Sequence, residues 1–249
     1  MNKYRQRGDN YRYNPDSKEP FRISRFRMER FLECPRCFYL DRRLGLGRPS
    51  GPGFSLNSAV DQLLKNEFDL LRENGEAHEL MKQYHIDAIP FKHPKLDEWR
   101  NNFVGQRHLH QETNLLIFGA VDDIWINRQK ELLIVDYKST STANEISLDD
   151  EYKQGYKKQM EVYQWLFRQE GFAVNSTGYF VYANASKNRP KFDARLEFEL
   201  QIIPYQGDDS WVEPTIYKMK ECLDSDQIPD PGENCEYCRY RKLIKEKEE

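Results

Sequence analysis

Apolar positions along the chain switch between two periods, and the switches mark the elements. Leu56, Val60, Leu63, Leu64, Phe68 and Leu71 follow helical spacing across residues 56–74, and Gly75 ends the run. An earlier helix over 24–33 opens on Ser24, with Phe26 and Phe31 facing inward, and Pro35 interrupts it. Residues 36–43 then read as a short turn and 45–53 as a Gly/Pro loop. Residues 76–113 predict a short helix followed by irregular or extended chain. Residues 115–126 and 131–139 are two strands joined by Asn127-Arg128-Gln129-Lys130, a hairpin-length connection. After a polar loop, residues 154–169 predict a helix with Tyr156, Met160, Tyr163, Leu166 and Phe167 apolar and Gly171 as its stop. Residues 177–182 form a strand. Phe192, Ala194, Leu196, Phe198, Leu200 and Ile202 alternate strictly, the pattern of a half-buried strand. Residues 211–223 predict a last helix with Pro214 in its first turn. The interleaving of helices and strands predicts an α/β fold, a central mixed sheet flanked by helices.

One of these strands carries chemistry. Leu132-Leu133-Ile134-Val135 is apolar on both faces, and Asp136-Tyr137-Lys138 follows it. Strand side chains alternate, so Asp136 and Lys138 share a face. A carboxylate beside such a run is costly to desolvate unless a cation compensates it, either Lys138 or a bound metal. Pairing centred near residue 129 makes opposed residue numbers sum to 258, which sets Asp122 of Gly119-Ala120-Val121-Asp122 opposite Asp136. A plain hairpin therefore gathers two aspartates and a lysine. Carboxylates of this kind hold Mg²⁺ or Mn²⁺ for phosphodiester cleavage. Asp122 and Asp136 would be ligands, the Tyr137 carbonyl a third, and Lys138 would orient water or stabilise phosphorane charge. The bland reading is an internal Asp136–Lys138 salt bridge with Asp122 in a turn.

Composition narrows the setting. The 249 residues carry a net charge of −3, so nucleic-acid binding must rely on local basic patches. Charged residues make up 32% and mean hydropathy is −0.90, which excludes a membrane protein. No signal-peptide apolar core opens the chain, so the cytoplasm is the default location. Residues 1–20 have almost no aliphatics and read as a disordered tail, with 21–249 as a single domain. Arg25, Arg27, Arg30, Arg36, Arg42 and Arg43 make the first helical region cationic, suited equally to DNA phosphates and to a solvated face. His78, His85, His93, His108 and His110 are scattered and fit surface or core roles.

Cys34-x-x-Cys37 and Cys235-x-x-Cys238 are two knuckle-like pairs at opposite ends of the chain. Four thiolates so arranged hold zinc or an iron–sulfur cluster and would fasten the C-terminal segment to the first helix. Cys222 fits a small buried apolar residue.

Four segments together resemble the PD-(D/E)XK nucleases, in the RecB-type exonuclease branch that includes recombination helicase-nuclease domains and CRISPR-associated RecB-like exonucleases. They are residues 24–39 with Cys34-Pro35-Arg36-Cys37-Phe38-Tyr39, then Gly119-Ala120-Val121-Asp122, Val135-Asp136-Tyr137-Lys138, and Gln159-Met160-Glu161-Val162-Tyr163. The resemblance implies the restriction-endonuclease-like core. It makes Asp122, Asp136 and Lys138 catalytic, and puts Gln159 and Tyr163 on a helix face near the DNA path. The branch often has a metal-binding histidine on the preceding helix. Asp61 stands in the comparable place, as a ligand or as a surface residue. The resemblance also implies a [4Fe–4S] cluster, with zinc as the alternative. The branch's usual last cysteine is missing after Cys238, and Cys37 is extra. The implied function is a Mg²⁺- or Mn²⁺-dependent DNA nuclease, an exonuclease on single-stranded ends in repair or recombination. Any helicase partner is a separate chain, because no phosphate-binding Gly-rich loop is present. The rivals are a non-catalytic nucleic-acid-binding subunit and a metal-stapled interaction protein of a repair or defence complex.

Overall fold

A computed structural model of the chain describes residues 8, 11–49, 51, 53, 55–150 and 153–248. The chain folds as two units, one drawn from 1–52, 109–118 and 210–249, the other from 53–108 and 119–209. Among the described residues no helix is long and apolar enough to cross a membrane.

In the first unit, β1 (Phe21–Ser24) runs into α1 (Arg25–Glu33), and α2 (Pro35–Arg42) follows at once. The expected turn over 36–43 is a helix, because Pro35 occupies its first turn, where no N–H is needed, with Cys34 as N-cap. Met28 and Phe31 are the buried residues of α1, whereas Phe26 is 47% exposed, with Arg27 and Arg30 over its ring. β1 pairs in parallel with β4 (Leu115–Gly119), Phe21 opposite Leu115, and β3 (Gln106–His110) completes the order β1-β4-β3. α7 (Val212–Asp224) and α8 (Glu236–Glu248) close the unit. The segment expected to be a disordered tail is partly anchored. Tyr13 is buried, its N–H donates to the Arg42 carbonyl at 2.6 Å, and its hydroxyl donates to Asp224 at 2.5 Å. Residues 1–7, 9 and 10 of that segment lie outside the described residues.

The second unit is a five-stranded mixed sheet in the order β2-β5-β6-β7-β8: β2 (Ala88–Pro90), β5 (Asp123–Asn127), β6 (Leu132–Thr140), β7 (Thr177–Ala185) and β8 (Phe198–Gln206). Only β6 and β7 are parallel, and α6 (Gln154–Gln169) makes the crossover that a parallel pair requires. The hairpin register is the expected one: Asp123 pairs with Val135 and Ile126 with Leu132. Asn127 shapes the turn, its side-chain oxygen accepting the Glu131 N–H at 2.8 Å, and Lys130 takes φ 65°.

Alternation sorts β6 into two faces. Leu133, Val135 and Tyr137 join a core with Trp125, Val181 and the inner side of α3 (Ser55–Asn74), through Leu64 and Phe68. Of the residues expected on that side, Leu56 and Leu63 are exposed. α6 is buried throughout 159–167, and Gly178 and Gly207 let it lie close, because a Cβ at either would meet Met160 or Gln164. α4 (Glu79–Gln83) and α5 (Leu96–Arg100) fill the expected mixed stretch.

Two expected strands differ. Residues 115–126 form β4 and β5 with a break at Ala120-Val121-Asp122, where the Val121 N–H bonds to the Trp99 carbonyl and leaves the ladder. The alternating run from Phe192 is strand only from Phe198. Asp193 and Ala194 both take φ 51° and turn the chain, leaving Phe192 and Leu196 exposed.

Candidate functional site

The carboxylate cluster forms where the β5–β6 ladder ends. The ladder runs as far as Val135. The next N–H on that edge, from Tyr137, is met instead by the Asp122 carboxylate at 2.9 Å. Asp122 thus bonds to the strand carrying Asp136 while sitting just before β5. Asp136 is fully buried, and the Lys138 ammonium pairs with its Oδ2. Burial would lower the Lys138 pKa, but Asp136 and then Asp122 outweigh it and leave it raised, so the ammonium is held charged. The Lys138 ammonium also lies 4.6 Å from the Tyr156 ring centre.

Asp61 of α3 comes to the same place through a residue that sequence reasoning missed. Lys65, one helical turn on, binds Asp61 at 2.8 Å and lies 3.5 Å from Asp122. Burial raises the Asp61 pKa, and the Asp122 charge raises it further. Asp61, Asp122, Asp136 and Lys138 therefore form one electrostatic group. They do not close tightly: among the described residues, only the four cysteines bring three or more His, Cys, Asp or Glu ligand atoms within 4.8 Å of one another.

Asp123 was missed as well. It is fully buried on the opposite face from its neighbour, as strand alternation demands. Arg72 and Arg100 both reach its Oδ1, and the Tyr137 hydroxyl donates to Oδ2 at 2.6 Å. Burial, then the Asp123 charge, pushes the Tyr137 phenol well above its usual pKa, so it stays protonated as donor. Arg100 also donates to the Asp122 carbonyl at 3.0 Å and to Asp69 at 2.9 Å. This network fixes the backbone from which Asp122 and Tyr137 are presented. The sequence signals were available: Asp61, Lys65, Phe68 and Arg72 share a stripe of α3, and Asp123 faces inward by parity.

Gln159 and Tyr163 are both buried on α6. The Gln159 amide donates to Asp136 Oδ1 at 2.7 Å and lies 3.2 Å from the Tyr163 hydroxyl. Both oxygens of Asp136 are thus engaged, one by an amide and one by an ammonium.

In the first unit the four cysteines converge. Cys34 lies 3.7 Å from Cys238, and Cys37 lies 3.8 Å from Cys235 and 3.5 Å from Cys238, sulfur to sulfur, with no disulfide. The cluster joins the N- and C-terminal segments of the chain. The N–H groups of Gly232 and Cys37 donate to Cys34, that of Cys238 to Cys235, and Arg48 donates to Cys235 at 3.0 Å. Burial opposes ionisation of Cys34, but the Gly232 and Cys37 N–H groups, together with the Cys235 and Cys37 thiols, outweigh it and bring its pKa to about 7. A side chain at Gly232 would strike the Glu33 carbonyl, so the approach needs glycine.

The cationic helical region is internally paired. Arg25 binds Glu29, Arg27 and Arg42 bind Asp41, Arg30 binds Glu33, and Arg43 binds Asp226. Arg36 donates to the Pro229 carbonyl. Three of the five histidines make structural contacts: His78 caps α4 and bonds to Glu67, His93 stacks on Trp99, and His110 bonds to Thr113. Cys222 is only partly buried, and desolvation pushes its thiol up to about 11.

Comparison with curated proteins gives no match. The solved structure "Crystal structure of SSO0001" is similar at 17% identity, over 91% of this chain and 87% of that one, with a TM-score of 0.38. The family description "PD-(D/E)XK nuclease superfamily" matches residues 22–243, a span that holds the Asp122–Asp136–Lys138 cluster and all four clustered cysteines. With nearly the whole chain matched, the protein belongs to the PD-(D/E)XK nuclease superfamily.

Proposed function

We propose that the protein is a divalent-metal-dependent DNA nuclease of the RecB-type exonuclease branch, acting on single-stranded ends. The observation that carries this reading is the placement of Asp122, Asp136 and Lys138 at the open end of the β5–β6 ladder, with Gln159 donating to Asp136. The donor set is all hard oxygen, which suits Mg²⁺ or Mn²⁺. Mg²⁺ is commonly held by one or two carboxylates while water and phosphate oxygens complete its shell, so Asp122 and Asp136 suffice. Asp61, raised in pKa by burial and by the Asp122 charge, would be a further ligand. In an extended residue N–H and C=O point to the same strand edge, and the Tyr137 N–H meets Asp122. Its carbonyl then faces that edge, as a third ligand would.

A bound metal ion would polarise the phosphate and lower the pKa of an attacking water. The chain's own residues do the rest. Lys138 stays protonated and offers N–H groups to the developing phosphorane charge or to the water. Gln159, braced by Tyr163, fixes which oxygen of Asp136 is presented. The buried Asp123 network sets the strand backbone to which Asp122 and Tyr137 belong.

The test is cleavage of end-labelled linear single strands, linear duplex and circular single strands with Mn²⁺, and with chelator. The expected result is loss of linear single strands, survival of circles and no cutting in chelator. Cutting of circles as fast as linear strands removes the exonuclease reading. No cutting of any substrate favours a binding subunit.

A further inference from the structure

We infer that the four cysteines hold a single tetrahedral zinc ion, and not the [4Fe–4S] cluster that the resemblance implies. A tetrahedron of thiolates with Zn–S bonds of about 2.3 Å has an edge of about 3.8 Å. Three of the six sulfur separations are 3.5, 3.7 and 3.8 Å, and all four sulfurs lie within 4.8 Å of one another. A four-iron cluster needs a wider cage, since each thiolate binds a different iron and the cluster's own sulfides fill the space between them.

The surroundings are built to the same scale. Both pairs use one local device: the N–H of the second cysteine turns back to the sulfur of the first, Cys37 to Cys34 and Cys238 to Cys235. Cys34 caps α2 and Cys235 immediately precedes α8, so both first cysteines sit at helix starts, where a thiolate is favoured. Cys34, Cys37 and Cys235 are buried. Four thiolates around a dication leave two negative charges, which the N–H donors and Arg48 offset. Charge alone does not separate zinc from a cluster; the cage size does. Gly232 lies close against the Glu33 carbonyl and its N–H reaches Cys34, which seats its loop beside the first cysteine pair. Among single ions, Zn²⁺ outranks Fe²⁺ for a given donor set.

The test is metal and sulfide analysis of the full chain, produced and purified without oxygen from medium supplied with both iron and zinc. One zinc per chain without sulfide is the expected result. Cobalt exchange should then give the intense visible ligand-field bands of a tetrahedral tetrathiolate. Cys238→His should retain one zinc, since three cysteines and a histidine are an ordinary zinc set. Iron and sulfide in equal amounts overturn the inference, as does iron without sulfide, or wild-type protein with no bound metal. None of these readouts depends on cleavage, so a failed nuclease reading leaves them intact.

Discussion

The thiol cluster and the carboxylate cluster treat the same problem, convergent anionic ligands, in opposite ways. The sulfurs are drawn together by backbone N–H groups at two helix starts. Thiols can stay protonated at neutral pH, so they tolerate contact before a metal arrives. Carboxylates cannot, and each here stands beside a lysine, Asp61 and Asp122 beside Lys65 and Asp136 beside Lys138. The first arrangement closes around its ligand atoms, as structural metal sites do. The second keeps its carboxylates apart and paired with lysines, with Asp61 and Asp122 partly exposed.

Breaking the scaffold under the carboxylates should give the largest effect. Asp123→Ala strands Arg72 and Arg100 without their shared buried partner, and should lower stability by about 3–5 kcal/mol. Denaturant titration checks this; a change under about 1 kcal/mol makes the network dispensable. Asp122→Ala should reduce metal-dependent cleavage by about 10²–10³-fold. The metal content of the thiol cluster should stay at the wild-type value, and its loss would blur the division between the two sites. Gln159→Ala should cost about 10–100-fold in metal affinity or activity, as partners that orient a metal ligand do. Weaker Mn²⁺ binding at unchanged saturating rate would give Gln159 a ligand-orienting role.

The smallest effect is on stability against pH. The folded pKa of Asp61 is raised, so between its unfolded and folded values the native state binds more protons. Stability therefore falls as pH rises through that carboxylate window. Asp61→Asn removes the cost and should raise the Tm of metal-free protein slightly at neutral pH, while weakening metal-dependent cleavage. An unchanged cleavage rate assigns Asp61 to the surface. A lower Tm contradicts the electrostatic argument.

Much of the carboxylate site was legible because β-structure has parity. The sum of 258 matches the register of β5 against β6, and the turn residue Asn127 enforces it. The same parity identifies Asp123 as the buried neighbour of Asp122, although it lies outside the motif. Lys65 lay in plain helical spacing from Asp61. What was not legible came from non-local causes. The break between β4 and β5 depends on a hydrogen bond from Val121 to Trp99, and the turn at Asp193-Ala194 on two left-handed residues that composition does not announce. The pairing of the cationic first helix required Asp41 and Asp226 to arrive from other elements. The cysteine spacing announced a shared thiol cluster but not its size, because the sulfurs are positioned by N–H bonds from the surrounding backbone.

The most direct measurement is the rate at which wild type, Asp136→Ala and Lys138→Ala degrade an end-labelled single strand in Mn²⁺. Wild type should degrade the strand steadily and both variants should lose about 10²-fold or more, with folding and thiol-bound metal retained. Equal rates in all three proteins would mean that Asp136 and Lys138 take no part in cleavage.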